Sequence, residues 1–341
     1  MTNAYTNSRG INVTHYHRRP IYEISYSIEH QFEDVRAALP SFVVPTVAVS
    51  RFFSKGFFPR LYNALEAVLR QSDVNHVTGD VQFLAIFLHK KRTLLTIHDC
   101  VMLERLTGLK RAVLFFFWFW LPEKRSALVS VVSESTRREL LRHLNCDPNK
   151  IRVVHCCVSP EFQPAPAMFN SQKPVILQTG ARDNKNLLRI AEALTGISCH
   201  LKIVGKLSQT QIAALDRHGI EYSNAVMIPK AELAALYREC DMLVFASTYE
   251  GFGLPIIEAN AVGRPVVTSN ILSMPEVAGN AACFVDPFDV ASIRSGIQKV
   301  IETPEYRDML VQNGFQNVRR FRPGDIAAQY AELYREILAE N

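Results

Sequence analysis

With 341 residues, 48% of them hydrophobic and 21% charged, the chain is long for one hydrophobic core, and two soluble globular domains are expected. The formal net charge of +5 is uneven: residues 1–160 hold 21 Lys+Arg against 13 Asp+Glu, whereas residues 161–341 hold 17 against 20. The basic residues are scattered without a helix-turn-helix, zinc-finger or RNA-recognition signature, so no nucleic-acid partner is expected, and seven cysteines with no C-x-x-C argue against a disulfide framework or a zinc site. Residues 1–10 are polar and lack the apolar stretch of a signal peptide, so the expected setting is cytoplasmic.

In chain order, residues 11–17 alternate apolar and polar and read as a strand. Ile28, Phe32, Val35 and Leu39 then recur at helical spacing, with Ser27 as N-cap. Between them lies HRRPIYEISYS (17–27), where Arg18 and Arg19 are candidates for gripping an anionic ligand, although paired arginines at a strand end are more often simply solvated. Residues 42–49 form a second strand, and a helix covers the Leu61 to Leu69 region. VNHVTGDV (74–81) and TLLTIHDC (93–100) read as strands, the latter ending at His98 and Asp99. Ligands of open α/β sheets bind beyond the carboxyl ends of strands, which makes His98 a candidate site residue and Asp99 a weaker one.

Residues 109–125, LKRAVLFFFWFWLPEKR, contain both tryptophans in an apolar run of ten residues between basic pairs. Ten residues are too few to span a bilayer, which takes roughly 20. Two readings stay open: a helix buried in the first domain, which base rates favour, or a patch touching an anionic membrane interface. A strand (128–134), a helix with Leu140, Leu141 and Leu144, and the segment 151–158 close a first domain at 1–160. The proline-rich stretch 161–173 is the linker.

Strand and helix alternate through 174–322, the pattern of a doubly wound parallel sheet. PVILQTG (174–180) leads into the loop ARDNK, with Gly180, Arg182 and Lys185. HLKIVG (200–205) follows, then a capping box at Ser208 and Gln211, a short strand at AVMI (225–228), and a helix around Glu232 to Cys240. After the apolar strand 242–246 comes YEGFGLPIIEAN (249–260). Gly251 and Gly253 allow positive φ and close backbone approach, Pro255 suits a helix start, and a helix N-terminus is a natural seat for a phosphate. Glu250 stands just outside that helix, and Glu258 about one turn inside it. Two carboxylates beside an anion seat suit hydroxyls flanking a diphosphate, the layout of a nucleotide sugar. The segment 323–341 ends the chain with Ile326, Tyr330, Leu333 and Ile337 at helical spacing.

The spacing of Glu250 and Glu258, with GFGLP and the trailing GRPVVTSN, resembles the E-x7-E motif of the family-4 retaining glycosyltransferases. The resemblance implies a GT-B α/β fold, two Rossmann-like doubly wound domains facing across a cleft, with helix 323–341 crossing back to the first. It implies a GDP- or UDP-sugar donor held by Gly251, Phe252, Gly253 and Leu254, Glu250 on the sugar and Glu258 on the ribose. Arg182 and Lys185 would neutralise the leaving diphosphate, and TIHD resembles the family's site histidine, giving His98 to the donor sugar. Asn184 replaces the arginine that often precedes the lysine, and HRRPIYEISYS replaces a glycine-rich acceptor loop. The chain contains no D-x-D, consistent with a metal-free site and no cofactor beyond the donor substrate. A glycan or lipid-linked acceptor in surface-polysaccharide assembly follows by analogy, with contact at the inner face of an anionic membrane as an open possibility. The rivals are a nucleotide-sugar epimerase of the same fold and a non-catalytic scaffold at the membrane.

Overall fold

The computed structural model describes residues 10–20 and 27–339. The chain divides into two compact units, one made of residues 1–157 and 323–341, the other of residues 158–322. The first is built on six parallel strands: β1 (Ile11–His17), β2 (Val43–Val49), β3 (Val74–Val77), β4 (Thr93–Ile97), β5 (Leu128–Val131) and β6 (Ile151–Val153), in the order β2-β1-β3-β4-β5-β6. The second contains β7 (Val175–Thr179), β8 (His200–Val204), β9 (Tyr222–Ala225), β10 (Met242–Phe245), β11 (Val266–Ser269) and β12 (Cys283–Val285), also parallel, in the order β12-β11-β10-β7-β8-β9. Strands such as MLVF (β10) and VVTS (β11) are buried at every position. Burial at every position is what a parallel sheet covered on both faces imposes, and in β11 it extends to the polar Thr268 and Ser269.

Both sheets are doubly wound, and each has one place where the strand order reverses. In the second unit that place lies between β7 and β10. The loops leaving those two strands diverge there and leave a crevice at the carboxyl edge. In the first unit the reversal lies between β1 and β3.

The last helix, Pro323–Ala339, packs in the first unit, where Ile326, Tyr330, Tyr334 and Ile337 share a buried cluster with Val13, Phe32, Leu94 and Leu128. This cluster contains an uncharged polar chain. His15 on β1 and His76 on β3 are register partners, both fully buried. The Tyr334 hydroxyl lies 3.0 Å from His15 Nε2 and 2.8 Å from His76 Nδ1. His76 Nε2 reaches Thr96 Oγ1 at 2.7 Å, and Thr96 reaches Ser130 Oγ at 2.6 Å. Nearby, His17 Nε2 sits 2.8 Å from Arg36, a guanidinium that can only donate, so that nitrogen is an acceptor and the ring is neutral. Burial is the first cause holding His15 and His76 well below the usual histidine range. For His17, burial and then Arg36 push the value down to about 4.

Two elements and one side chain differ notably from the sequence expectation. The edge strand β9 covers residues 222–225 rather than AVMI, because Met227 takes a left-handed φ of 56° that ends extended pairing. The polar residues in β9 are accommodated because Asn224 donates to the carbonyls of Ile203 and Gly205. Residues 109–125 form a helix (Gly108–Leu114), a π-helical turn (Phe115–Trp120) and a short helix (Leu121–Lys124). In this segment Phe119 is buried, while Phe116, Phe117 and Trp120 are exposed, so neither full burial nor full exposure describes it. Arg18 is engaged by two carboxylates, Glu29 at 2.7 Å and Asp80, so it is largely neutralised. Residues 21–26 of HRRPIYEISYS, and the N-cap contact expected of Ser27, lie outside the described residues. Among the described residues, no helix is long and apolar enough to cross a membrane.

Candidate active site

The loops after β7 and β10 meet at the reversal point of the second sheet. Residues 183–185 form one tight turn, and Asn186 follows in the left-handed region with φ 62°. That strained position is held because the Asn186 side-chain amide donates to the carbonyls of Ala246 (2.9 Å) and Pro287 (2.6 Å), pinning this turn to the ends of β10 and β12. Asn184 makes a second tie: its backbone carbonyl accepts from Thr248 N, and its side chain donates to Tyr249 O and Glu250 Oε1. The two loops are therefore one hydrogen-bonded body.

At its centre Lys185 Nζ lies 2.7 Å from Glu250 Oε1 and 4.5 Å from the centroid of the Phe245 ring. Both side chains are largely screened, at 17% and 15% exposure, so this charge pair is less damped by solvent than a surface salt bridge. Gly180 makes room for it. With φ +86°, a Cβ there would stand 2.8 Å from Lys185 Cε, so the lysine stem occupies the space that any other residue would fill. Ser273 Oγ donates to the Glu250 carbonyl at 2.9 Å, which fixes the backbone of the turn.

Helix Leu254–Val262 starts from Gly253, which has φ 109°, and Pro255 sits in its first turn. The first amides of such a helix have no intrahelical partner and carry its positive dipole end. Of the two glycines expected to permit positive φ, only Gly253 uses that freedom. Phe252 is buried against Phe321, with ring centroids 5.7 Å apart, so it anchors the turn from below. Glu258 accepts a 2.7 Å hydrogen bond from Tyr237, whose side chain is fully buried. Burial pushes the Glu258 carboxyl up to about 7, against the opposing pull of Tyr237, Lys185 and Lys230.

The structure thus brings Gly180, Lys185, Glu250, Gly251, Phe252, Gly253, Leu254 and Glu258 to one sheet edge. Arg182 lies in the same loop but is exposed, with no ion pair among the described residues. Sequence reasoning missed Asn184 and Asn186 as the ties between the loops, and Tyr237 as the partner of Glu258. An asparagine after the tight turn, where left-handed backbone is common, was the available signal for Asn186.

In the first unit His98 follows β4. Its Nε2 lies 2.7 Å from the Thr78 carbonyl, so that nitrogen carries a proton and donates, and Nδ1 is the ring's other polar atom. Gly79, at φ +132°, permits this: a Cβ there would come within 2.4 Å of the imidazole.

Two doubly wound units, one carrying a glutamate–glycine turn clamped to a lysine loop, have the GT-B fold. The chain belongs to the group 1, family-4 glycosyltransferases: residues 161–317 match the family described as Glycosyl transferases group 1, and residues 8–162 match Glycosyltransferase Family 4. Among curated relatives, it is 36% identical over 108 residues to the O-antigen chain mannosyltransferase B of Escherichia coli, a match covering 32% of this chain and 28% of that protein. It is 28% identical over 221 residues to the MMP alpha-(1->4)-mannosyltransferase of Mycolicibacterium hassiacum, covering 61% and 54%. The matches therefore span less than two thirds of either relative. Among solved structures, sucrose-phosphate synthase from Thermosynechococcus elongatus superposes with a TM-score of 0.74 at 17% identity, covering 97% of this chain and 100% of that one. Anabaena Alr3699/HepE in complex with UDP-glucose gives 0.78 at 15%, covering 96% and 100%. At these identities the structures show the fold alone.

Proposed function

We propose that the chain is a retaining glycosyltransferase that moves a hexose from a GDP- or UDP-sugar to a glycan or lipid-linked acceptor in surface-polysaccharide assembly, working at the inner face of the membrane. The observation that carries this reading is the Lys185–Glu250 pair, held in one body with the N-terminus of helix Leu254–Val262 at the reversal point of the sheet. A diphosphate seated on that helix end would meet Lys185, with Arg182 free to swing in from the exposed loop. As the glycosidic bond breaks, negative charge grows on the diphosphate, and fixed cations and N–H groups stabilise that state more than the ground state. These cations are the protein's own, so the proposal includes no metal. Glu250 would accept from sugar hydroxyls and Glu258 from the ribose. His98 would offer Nδ1 to the donor sugar, its other nitrogen being held by Thr78. The leaving phosphate would take the acceptor's proton.

Because the curated relatives bear mannosyltransferase names, mannose is the first sugar to test, as both GDP and UDP conjugates. One such donor is expected to raise the melting temperature of the chain. Donor alone should return unchanged except for slow hydrolysis; an epimerised donor would overturn the transferase reading in favour of the isomerase, and no stabilisation by any nucleotide sugar would favour the scaffold.

The raised Glu258 value gives a second expectation. An ionised carboxylate accepts more hydroxyl hydrogen bonds than a protonated one, so nucleotide affinity should rise about tenfold from about pH 6 to about pH 8 if binding selects the ionised form. Glu258→Gln should bind more weakly and lose that dependence. A wild-type pH profile that survives in the Gln variant would remove Glu258 from the ribose site.

A further inference from the structure

Two exposed aromatic stretches of the first unit adjoin each other. From residue 51 to 58 every side chain but that of Ser54 is exposed, including Phe52 and Phe53, and Phe57 and Phe58 at 69% and 80%. The second stretch is the π-helical turn Phe115–Trp120. Its wider winding turns Phe119 into the core and leaves Phe116, Phe117 and Trp120 outside, with Phe116 stacked on Trp120 at 5.2 Å. Arg60 joins the two: its guanidinium lies 4.6 Å over the Trp118 ring. Arg19 likewise lies 4.9 Å over Phe53.

The charges within these two stretches are all basic; the acids flanking the second are Glu104, which pairs with His143, and buried Glu123, which pairs with Lys150. Residues 51–60 contain Arg51, Lys55 and Arg60, residues 106–122 contain Lys110 and Arg111, and neither stretch contains an Asp or Glu. A large exposed apolar patch marks an interaction surface. Protein interfaces of this aromatic content are normally depleted of lysine at their centre. Rings on short projecting turns, ringed by cations whose stems can lie along apolar surface, match instead the boundary between headgroups and acyl chains.

We propose that this face seats the first unit on an anionic bilayer, with Phe57, Phe58, Phe116 and Phe117 entering the interface and the flanking cations on lipid phosphates. The proposal specifies the membrane contact assumed in the functional reading, but vesicle binding requires no transfer activity, so either can fail alone.

The test is flotation of the full chain with vesicles of equimolar phosphatidylglycerol and phosphatidylcholine, or of phosphatidylcholine alone, at about 0.1 M and about 0.5 M salt. The chain is expected to float with the anionic vesicles, more weakly at high salt, with a blue shift of tryptophan emission. The exposed double variants Phe57→Ser/Phe58→Ser and Phe116→Ser/Phe117→Ser should each lower partitioning at least tenfold while keeping the wild-type circular dichroism and donor-induced stabilisation. Absence of flotation, or unchanged partitioning of both variants, would overturn the proposal. So would a dimer, seen by velocity sedimentation, that the same substitutions dissolve, because the face would then belong to a second copy of the chain.

Discussion

Lys185→Ala is expected to lower kcat/KM for sugar transfer by about 10²–10³-fold, the usual loss when one preorganised group facing developing charge is removed. Two consequences combine in that variant. The cation that would meet the leaving diphosphate is gone, and Glu250, at 15% exposure, loses the partner 2.7 Å away that offsets its negative charge. The carboxylate then opposes the anion it stands beside. Glu250→Gln separates the two contributions, because the amide keeps an oxygen for the Asn184 hydrogen bond while removing the charge. Its loss should lie mainly in kcat if Glu250 contacts sugar hydroxyls in the transition state. Both variants should melt within a few degrees of wild type, since Asn184 and Asn186 still tie the loops through Tyr249, Ala246 and Pro287. Steady-state kinetics within a few-fold of wild type for both variants would remove the pair from the chemistry.

The second large effect is acid lability confined to the first unit. His15, His17 and His76 are buried as neutral rings, each with its value lowered by burial. Below the ordinary histidine pKa of about 6.5 the unfolded chain takes up protons that these rings refuse, so stability falls as pH falls, by about 1.4 kcal/mol per pH unit for each ring. The loss begins near pH 6.5 and, for His17, continues towards its folded value of about 4. From about pH 7 to about pH 5 His17 contributes about 2 kcal/mol, and His15 and His76, lowered in the same direction by burial, add to that loss, against the roughly 5–15 kcal/mol typical of a domain. The second unit has only His200 and His218, neither buried. Both tryptophans, Trp118 and Trp120, lie in the first unit, so urea melts followed by tryptophan emission report that unit alone. Stability should fall below about pH 6.5, and His17→Gln should reduce the slope by up to about 1.4 kcal/mol per pH unit. A flat profile between about pH 7 and about pH 5 would show that the rings take up protons in the folded state.

The alternation of short apolar strands with amphipathic segments made the doubly wound class legible, because a sheet covered on both faces leaves that pattern in sequence. Glu250, Gly253 and Glu258 were legible as well, since they fall within ten residues on one strand-turn-helix. Contacts between distant segments left no local trace. Asn184 reads in sequence as a departure from a familiar arginine, whereas in the fold its amide holds Glu250, 66 residues away. Tyr237 looks like one more apolar helix position until its hydroxyl is found on Glu258. The histidines of β1 and β3 fit an alternating strand equally well on either face, and only the packing of helix Pro323–Ala339 makes them interior. The aromatic run at 115–120 failed for a different reason: helical periodicity assumes about 3.6 residues per turn, and a π-helical turn redistributes side chains between core and surface.

The central claim is that the sheet edge at Lys185 and Glu250 is a nucleotide-diphosphate seat. Isothermal titration of GDP and UDP into wild type and Lys185→Ala tests it most directly. One nucleotide should bind wild type with one site per chain, and affinity should fall at least tenfold in the variant; equal affinity in both proteins, or no binding of either nucleotide, would contradict the account.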